Sequence, residues 1–186
     1  VVAVDAACFG LLLPVLPFLV GELTGHFSAI AITQVTAVYA GCQLVGAPLI
    51  GRWSDRVGRK PLMALSVGVG SLALLGSALA PTLTMLMLFQ GIKGFSASVF
   101  ALAQAVVADS VSESDQRTVS FGALGAALGL GFVAGPAVGG LLGTLNPRAP
   151  FLAAALFTVV NLIQILLVLK ESRPSHPQHQ PSRDPL

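Results

Sequence analysis

Two charged side chains stand inside long apolar runs of this chain, Asp5 in "VVAVDAACFG" and Lys93 in "MLMLFQGIKGF". An acid at the centre of a lipid-embedded helix costs about 2.5 to 3.5 kcal/mol on insertion scales, so it is retained where it faces a cavity or a partner. Two chemistries are open to Asp5: reversible proton binding at a cavity, or neutralisation by a neighbouring base for stability alone. Val20, where the first apolar run ends, lies fifteen residues further on, or about 22 Å of helix at 1.5 Å per residue. Lys93 is the only basic residue inside an apolar run. It is either a counter-charge, to Asp5 or to an anionic group on a bound molecule, or a lysine that snorkels to the surface. The ten residues back to Leu83 make that reach a long one.

A third concentration of charge lies in "GRWSDRVGRKPLM", residues 51 to 63, which holds Arg52, Asp55, Arg56, Arg59 and Lys60. In a chain that is 10% charged, such density marks a connection between apolar segments. Gly51 is expected to end one helix, Gly58 to take an unusual backbone angle, and Pro61 to sit in the first turn of the next helix. Asp109, at the end of a later apolar run, is a partner for Arg59 or Arg56, and Asp55 is placed near a helix end whose dipole favours it. A fourth pattern is "GFVAGPAVGG". Gly131, Gly135 and Gly139 recur every four residues, followed by Gly140, and clear one helix face for close approach, while Pro136 is expected to bend the helix.

The elements that position these residues follow from composition. The mean hydropathy is +0.84. Ten Lys/Arg and eight Asp/Glu in 186 residues are too few to coat a water-soluble domain, so lipid is the solvent for most of the surface. A membrane-crossing helix needs roughly 20 apolar residues, and runs of that kind are read near Val1 to Val20, Ile30 to Ile50, Leu62 to Ala80, Leu83 to Ala108, Val119 to Leu142 and Pro150 to Leu169. No stretch alternates as a membrane β-barrel strand does. The expected fold is all-α, with residues 1–172 forming a bundle of six transmembrane helices and residues 173–186, rich in Pro, Ser, Gln and His, forming a flexible linker.

Lys and Arg in the connections set the orientation. Eight lie on one side: Arg52, Arg56, Arg59 and Lys60, then Arg117, then Lys170, Arg173 and Arg183. Only Arg148 lies on the other. The expectation is a multi-pass protein of the cytoplasmic membrane with both ends of this segment in the cytoplasm.

The spacing Gly51, Asp55, Arg56, Gly58, Arg59 and Lys60 resembles the signature loop of the major facilitator superfamily, G-x-x-x-D-R-x-G-R-[RK]. The glycines and proline from Gly131 to Gly140 resemble the motif of drug/proton antiporters in that superfamily. "DAACFGLLLPVLP", with Asp5, Gly10, Pro14 and Pro17, is similar to the opening of tetracycline-efflux proteins. "QLVGAPLIG", "VVAD" and "RAPFLAAA" extend the likeness to about residue 172. The resemblance implies the amino-terminal half of a twelve-helix transporter that works by alternating access and exchanges drugs or other small organic molecules for protons. It implies that Asp5 has a transport role, that the charged loop with Asp109 gates one of the access states, and that the span-five motif seals the interface between halves. Its partners would be a small organic substrate, protons, the lipid bilayer and a carboxy-terminal six-helix half, with tetracycline-like molecules among the candidate substrates. One departure is plain. Where the tetracycline-efflux pattern has an arginine opening R-x-x-x-G in span four, this chain has Gln90 before Gly94, and Lys93, three residues on and on the same helix face, is placed to supply the charge.

The remaining chemistry-bearing types point to no enzyme, metal or nucleic-acid site. Cys8 and Cys42 lie in apolar runs without C-x-x-C spacing and read as packing residues. His26 falls in a connection and His176 and His179 in the tail. No Ser/His/Asp set or phosphate loop is visible, so the expectation is no cofactor, with the proton gradient as energy source. The competing reading is a truncated six-helix membrane protein with a structural or regulatory role, or a half-transporter that needs a second chain.

Overall fold

Proline decides the first element. In the computed structural model, which describes residues 1–110 and 114–169, the first predicted span is two helices, α1 (Val2–Leu12) and α2 (Leu16–Thr24), bent by 42° at the break. Pro14 and Pro17 bring no N–H, and each ring crowds the carbonyl four residues back, so one straight helix is lost. The 22 Å path from Asp5 to Val20 therefore turns a corner.

α3 (Ala29–Val57) starts at Ser28, whose hydroxyl accepts from the Ala31 N–H at 3.3 Å. It runs through Gly51 without ending there, contrary to the sequence expectation, and stops seven residues later than Ile50. The whole connection to α4 (Arg59–Leu79) is one residue, Gly58, at φ 115°. A Cβ there would be strained, so glycine makes the turn.

α5 (Leu83–Phe95) and α6 (Val99–Ser110) divide the fourth predicted span at Ser96 to Ser98, although Leu83–Asp109 still qualifies as one crossing. α7 (Ser114–Leu145) continues through Pro136 as one helix, and α8 (Ala149–Val168) closes the described chain. Among the described residues five helical segments are long and apolar enough to cross a membrane, six when the bent α1–α2 pair is counted as one. The linker placed at 173–186, with Arg173, His176, His179 and Arg183, lies outside the described residues, as does Lys170.

In the bundle α1 lies along α7, α3 along α5, and α4 along α8, with α4 also touching α5. The buried apolar side chains fall into two clusters. One gathers Cys8, Leu11, Val35, Leu74, Leu86 and Phe151. The other gathers Val2, Ile50, Met63, Val67, Leu102 and Ile165. Between them along α1, α3, α4, α5 and α8 stand polar groups: Asp5, Gln43, Ser71, Lys93, Thr158 and Asn161. Coverage is uneven. Only 17% of the α3 membrane window and 11% of the α7 window are buried, against 56% for α4, so α3 and α7 present open faces.

Candidate functional site

Lys93 stands in the last turn of α5. The partial negative charge at a helix C-terminus favours a cation there, and the Ser96 hydroxyl donates to the Lys93 carbonyl at 3.1 Å where the span breaks. The side chain passes Gly70 of α4, where a Cβ would stand 3.3 Å from the ammonium. Its Nζ ends 3.7 Å from Asp5 Oδ1 on α1. Lys93 is buried rather than snorkelled.

The pair borders a cavity of about 290 Å³ between α1, α3, α5 and α7, whose wall includes Phe9, Tyr39, Gln43 and Phe132. A smaller apolar pocket of about 70 Å³ shares Phe9, Tyr39 and Lys93 and adds the buried Gln90. Asp5 and Lys93 line the larger cavity, and Gln90 lines the adjoining pocket with Lys93. Tyr39, Gln43, Phe9 and Phe132 were missed. Phe9 stacks against Tyr39 and Phe132 with ring centroids 5.6 and 5.8 Å apart. The available signal was polar: Tyr39 and Gln43 are four residues apart, hence on one face of a span that otherwise shows few polar groups.

Chemically, an acid and a base share a half-open cavity inside an apolar bundle. A proton or a charged molecule that binds one of them must displace the other. Among the described residues no three His, Cys, Asp or Glu side chains come together as a metal site.

At one end of the bundle Arg59 is the centre of a polar cluster. Its Nη1 meets Asp55 Oδ1 at 2.6 Å and the Ser54 hydroxyl, and its Nε donates to Asp109 Oδ2 at 3.0 Å. Of the two arginines considered for Asp109, Arg59 makes the contact, and Arg56 is exposed. Lys60 turns elsewhere: its Nζ donates to the Leu166 carbonyl at 2.8 Å, in the last turn of α8. The opposite end has a counterpart that the sequence did not suggest. Arg148 pairs with Glu22 at 3.0 Å and donates to the Ala78 carbonyl at 3.0 Å, joining the α7–α8 connection to α2 and α4.

The span-five glycines divide. A Cβ on Gly131 would lie 2.5 Å from Ala6 Cβ, and one on Gly135 2.6 Å from the Ala7 carbonyl oxygen; Gly139 faces the Leu11 backbone in the same way. These three zip α7 onto α1, inside the bundle. Gly140 meets nothing within 4 Å and is off that seam; so are Gly122, Gly125 and Gly129, which lie on the open side of α7. The open face of α7 is therefore a different one from the face that carries most of the motif. Gly46 and Gly94 make an equivalent seam between α3 and α5, against the backbones of Phe95 and Tyr39.

Comparison with known proteins agrees with this architecture. Residues 1–185 match the Major Facilitator Superfamily. The chain is 40% identical over 172 residues to the class D tetracycline resistance protein of Salmonella ordonez, covering 89% of this chain and 42% of that protein. It is 38% identical over 175 residues to the class B protein of Escherichia coli, covering 91% and 42%. Multidrug resistance protein 1 of Bacillus subtilis (strain 168) is 33% identical over 172 residues, covering 92% and 43%. The fold superposes on the crystal structure of the human organic anion transporter MFSD10 (TETRAN) with a TM-score of 0.79 at 24% identity, covering 92% of this chain and 46% of that one. The chain spans less than half the length of these relatives and corresponds to their amino-terminal half.

Proposed function

We propose a function from one premise, that the chain belongs to the major facilitator superfamily: it is the amino-terminal bundle of a secondary active transporter that exports drugs or other small organic molecules in exchange for protons. The observation that carries this reading is the Asp5–Lys93 pair, 3.7 Å apart and lining a cavity within an apolar bundle. Such a pair gives a proton and a substrate competing claims on one site. When Asp5 is protonated the ion pair ends and Lys93 is released; when Asp5 gives up its proton, the pair reforms. Coupling requires that these two states favour opposite openings of the cavity.

The count of basic residues supports an orientation with the Arg59 end, and both ends of this segment, at the cytoplasmic face of the cell membrane. There the Arg59 cluster holds one access state and releases it as the bundles rock; its Asp55 partner is exposed, and a pair with an exposed member is worth about 0 to 1 kcal/mol, which tunes an equilibrium. No cofactor is needed; the proton gradient supplies the energy. The aromatic wall suits a flat, partly apolar cargo, and tetracyclines are candidates because the relatives in this family are named for resistance to them. The open faces of α3 and α7 support the companion reading that a second six-helix bundle completes the transporter.

The test is efflux from vesicles with an imposed pH gradient, using the full two-bundle protein. Gradient-driven transport that vanishes in Asp5→Asn, with the protein still inserted, is expected. Transport that persists undiminished in that variant removes Asp5 from the coupling.

A further inference from the structure

The four cations of the α3–α4 connection have unequal employment. Arg59 is taken up by Asp55, Asp109 and Ser54, and Lys60 by the Leu166 carbonyl. Arg52 and Arg56 are exposed and have no ion pair or hydrogen bond among the described residues. Against the carboxylates of Asp55 and Asp109, four cations leave two positive charges over, and among the described residues Arg52 and Arg56 are the pair without a partner. They stand four residues apart, on one face of α3 a single turn from each other. Trp53 and Val57 form the adjacent stripe, also one turn apart, 53% and 60% exposed.

Their depth identifies what they meet. From Ala29 to Gly51 α3 carries no charged residue, a stretch of roughly 34 Å at the helical rise, and the hydrocarbon layer is about 30 Å thick. Arg52 is the first charge after that stretch, so it emerges where hydrocarbon gives way to headgroups, and Arg56 follows one turn further out. Tryptophan is enriched at this level because its ring is apolar and its N–H polar. Guanidinium groups bind phosphate oxygens in bidentate fashion.

We infer that Arg52 and Arg56, flanked by Trp53, bind the phosphate of an anionic phospholipid in the leaflet on the Arg59 side of the bundle. The acyl chains of that lipid lie along Trp53 and the apolar length of α3. A free phosphate ion shares the headgroup chemistry but has nothing to place against Trp53 and Val57, so the site is assigned to the lipid. This inference does not depend on the transport reading, and its test measures no transport.

Trp53 is the only tryptophan in residues 1–186, and with any tryptophan outside these residues replaced by phenylalanine it is a built-in reporter. The protein is reconstituted in vesicles with equal fractions of phosphatidylcholine and phosphatidylglycerol, and one lipid at a time carries brominated acyl chains, which quench a tryptophan they touch. The expected result is stronger quenching by the brominated phosphatidylglycerol, reflecting about a fivefold local enrichment per arginine. Arg52→Gln with Arg56→Gln brings the two lipids to parity, and each single substitution brings them part of the way, so the singles carry the test if the double variant fails to insert. Arg117→Gln, which removes a cation from the first turn of α7, keeps the preference, and so does an excess of inorganic phosphate. Parity in the unsubstituted protein, a preference that survives the double substitution, or cancellation by free phosphate would each overturn the assignment.

Discussion

Lys93 Nζ and Asp5 Oδ1 stand 3.7 Å apart, close enough to neutralise each other and too far for a direct hydrogen bond. The two residues belong to different helices, α5 and α1, so the pair is sensitive to how far apart those helices sit. Removing one partner of a buried pair costs about 3 to 5 kcal/mol because the other charge is left alone. The cost belongs at the low end here, since the Asp5 side chain is 23% exposed to the cavity. Asp5→Asn and Lys93→Met should each lower the melting temperature in detergent, and the double variant should recover most of the loss. None of the three should transport in the two-bundle protein. A double variant less stable than both singles would show that the pair does not act as a unit.

Asp55 is 57% exposed at its side chain and is one of three acceptors around Arg59. Asp55→Asn should therefore leave expression and melting nearly unchanged, within about 1 kcal/mol, while lowering transport. Arg59 is itself buried. Its replacement by Ala strips a partner from Asp109 as well and should reduce folded yield. Unchanged transport in Asp55→Asn would separate this cluster from gating.

The glycine seam predicts opposite outcomes for one chemical change. Gly135→Ala drives a methyl group to 2.6 Å from the Ala7 carbonyl oxygen, where backbone must move, and should destabilise by about 1 to 3 kcal/mol. Gly125→Ala meets nothing within 4 Å and should be neutral or stabilise by up to about 1 kcal/mol through helix propensity. Thermal melts of the two variants side by side decide the matter; equal effects would contradict the seam.

At the far end, Glu22→Gln removes only the exposed ion pair with Arg148 and should cost about 0 to 1 kcal/mol. Arg148→Gln also removes the bond to the Ala78 carbonyl, adding about 1 kcal/mol. High salt should erase most of the first loss and little of the second, because screening acts on the pair and not on the hydrogen bond. Melting curves at low and high ionic strength read this difference.

Hydropathy alone placed six crossings, and the residues that line the cavity through charge, Asp5 and Lys93, stood out because charge inside an apolar run is expensive. Three things did not show. The bend between α1 and α2 was written in Pro14 and Pro17, yet their apolar neighbours kept the run looking continuous. The break at Ser96 to Ser98 was hidden because serine satisfies helix carbonyls from its own side chain and leaves hydropathy almost unchanged. The division of the α7 glycines depends on which side α1 occupies, a tertiary fact that a spacing of four cannot carry. Gly140 follows Gly139 in sequence and points a different way in space.

The two seams, α1 with α7 and α3 with α5, bring backbone against backbone, and the cavity opens between them. Such a frame is closed to variation: nothing larger than hydrogen fits at Gly46, Gly94, Gly135 or Gly139. The lining is under no such constraint. The side chains of Phe9, Tyr39, Gln43 and Phe132 border the cavity and take no part in the backbone contacts of either seam. The fold therefore separates what must stay fixed from what can evolve, and substitutions at a few cavity positions can reshape the cavity while the scaffold remains the same.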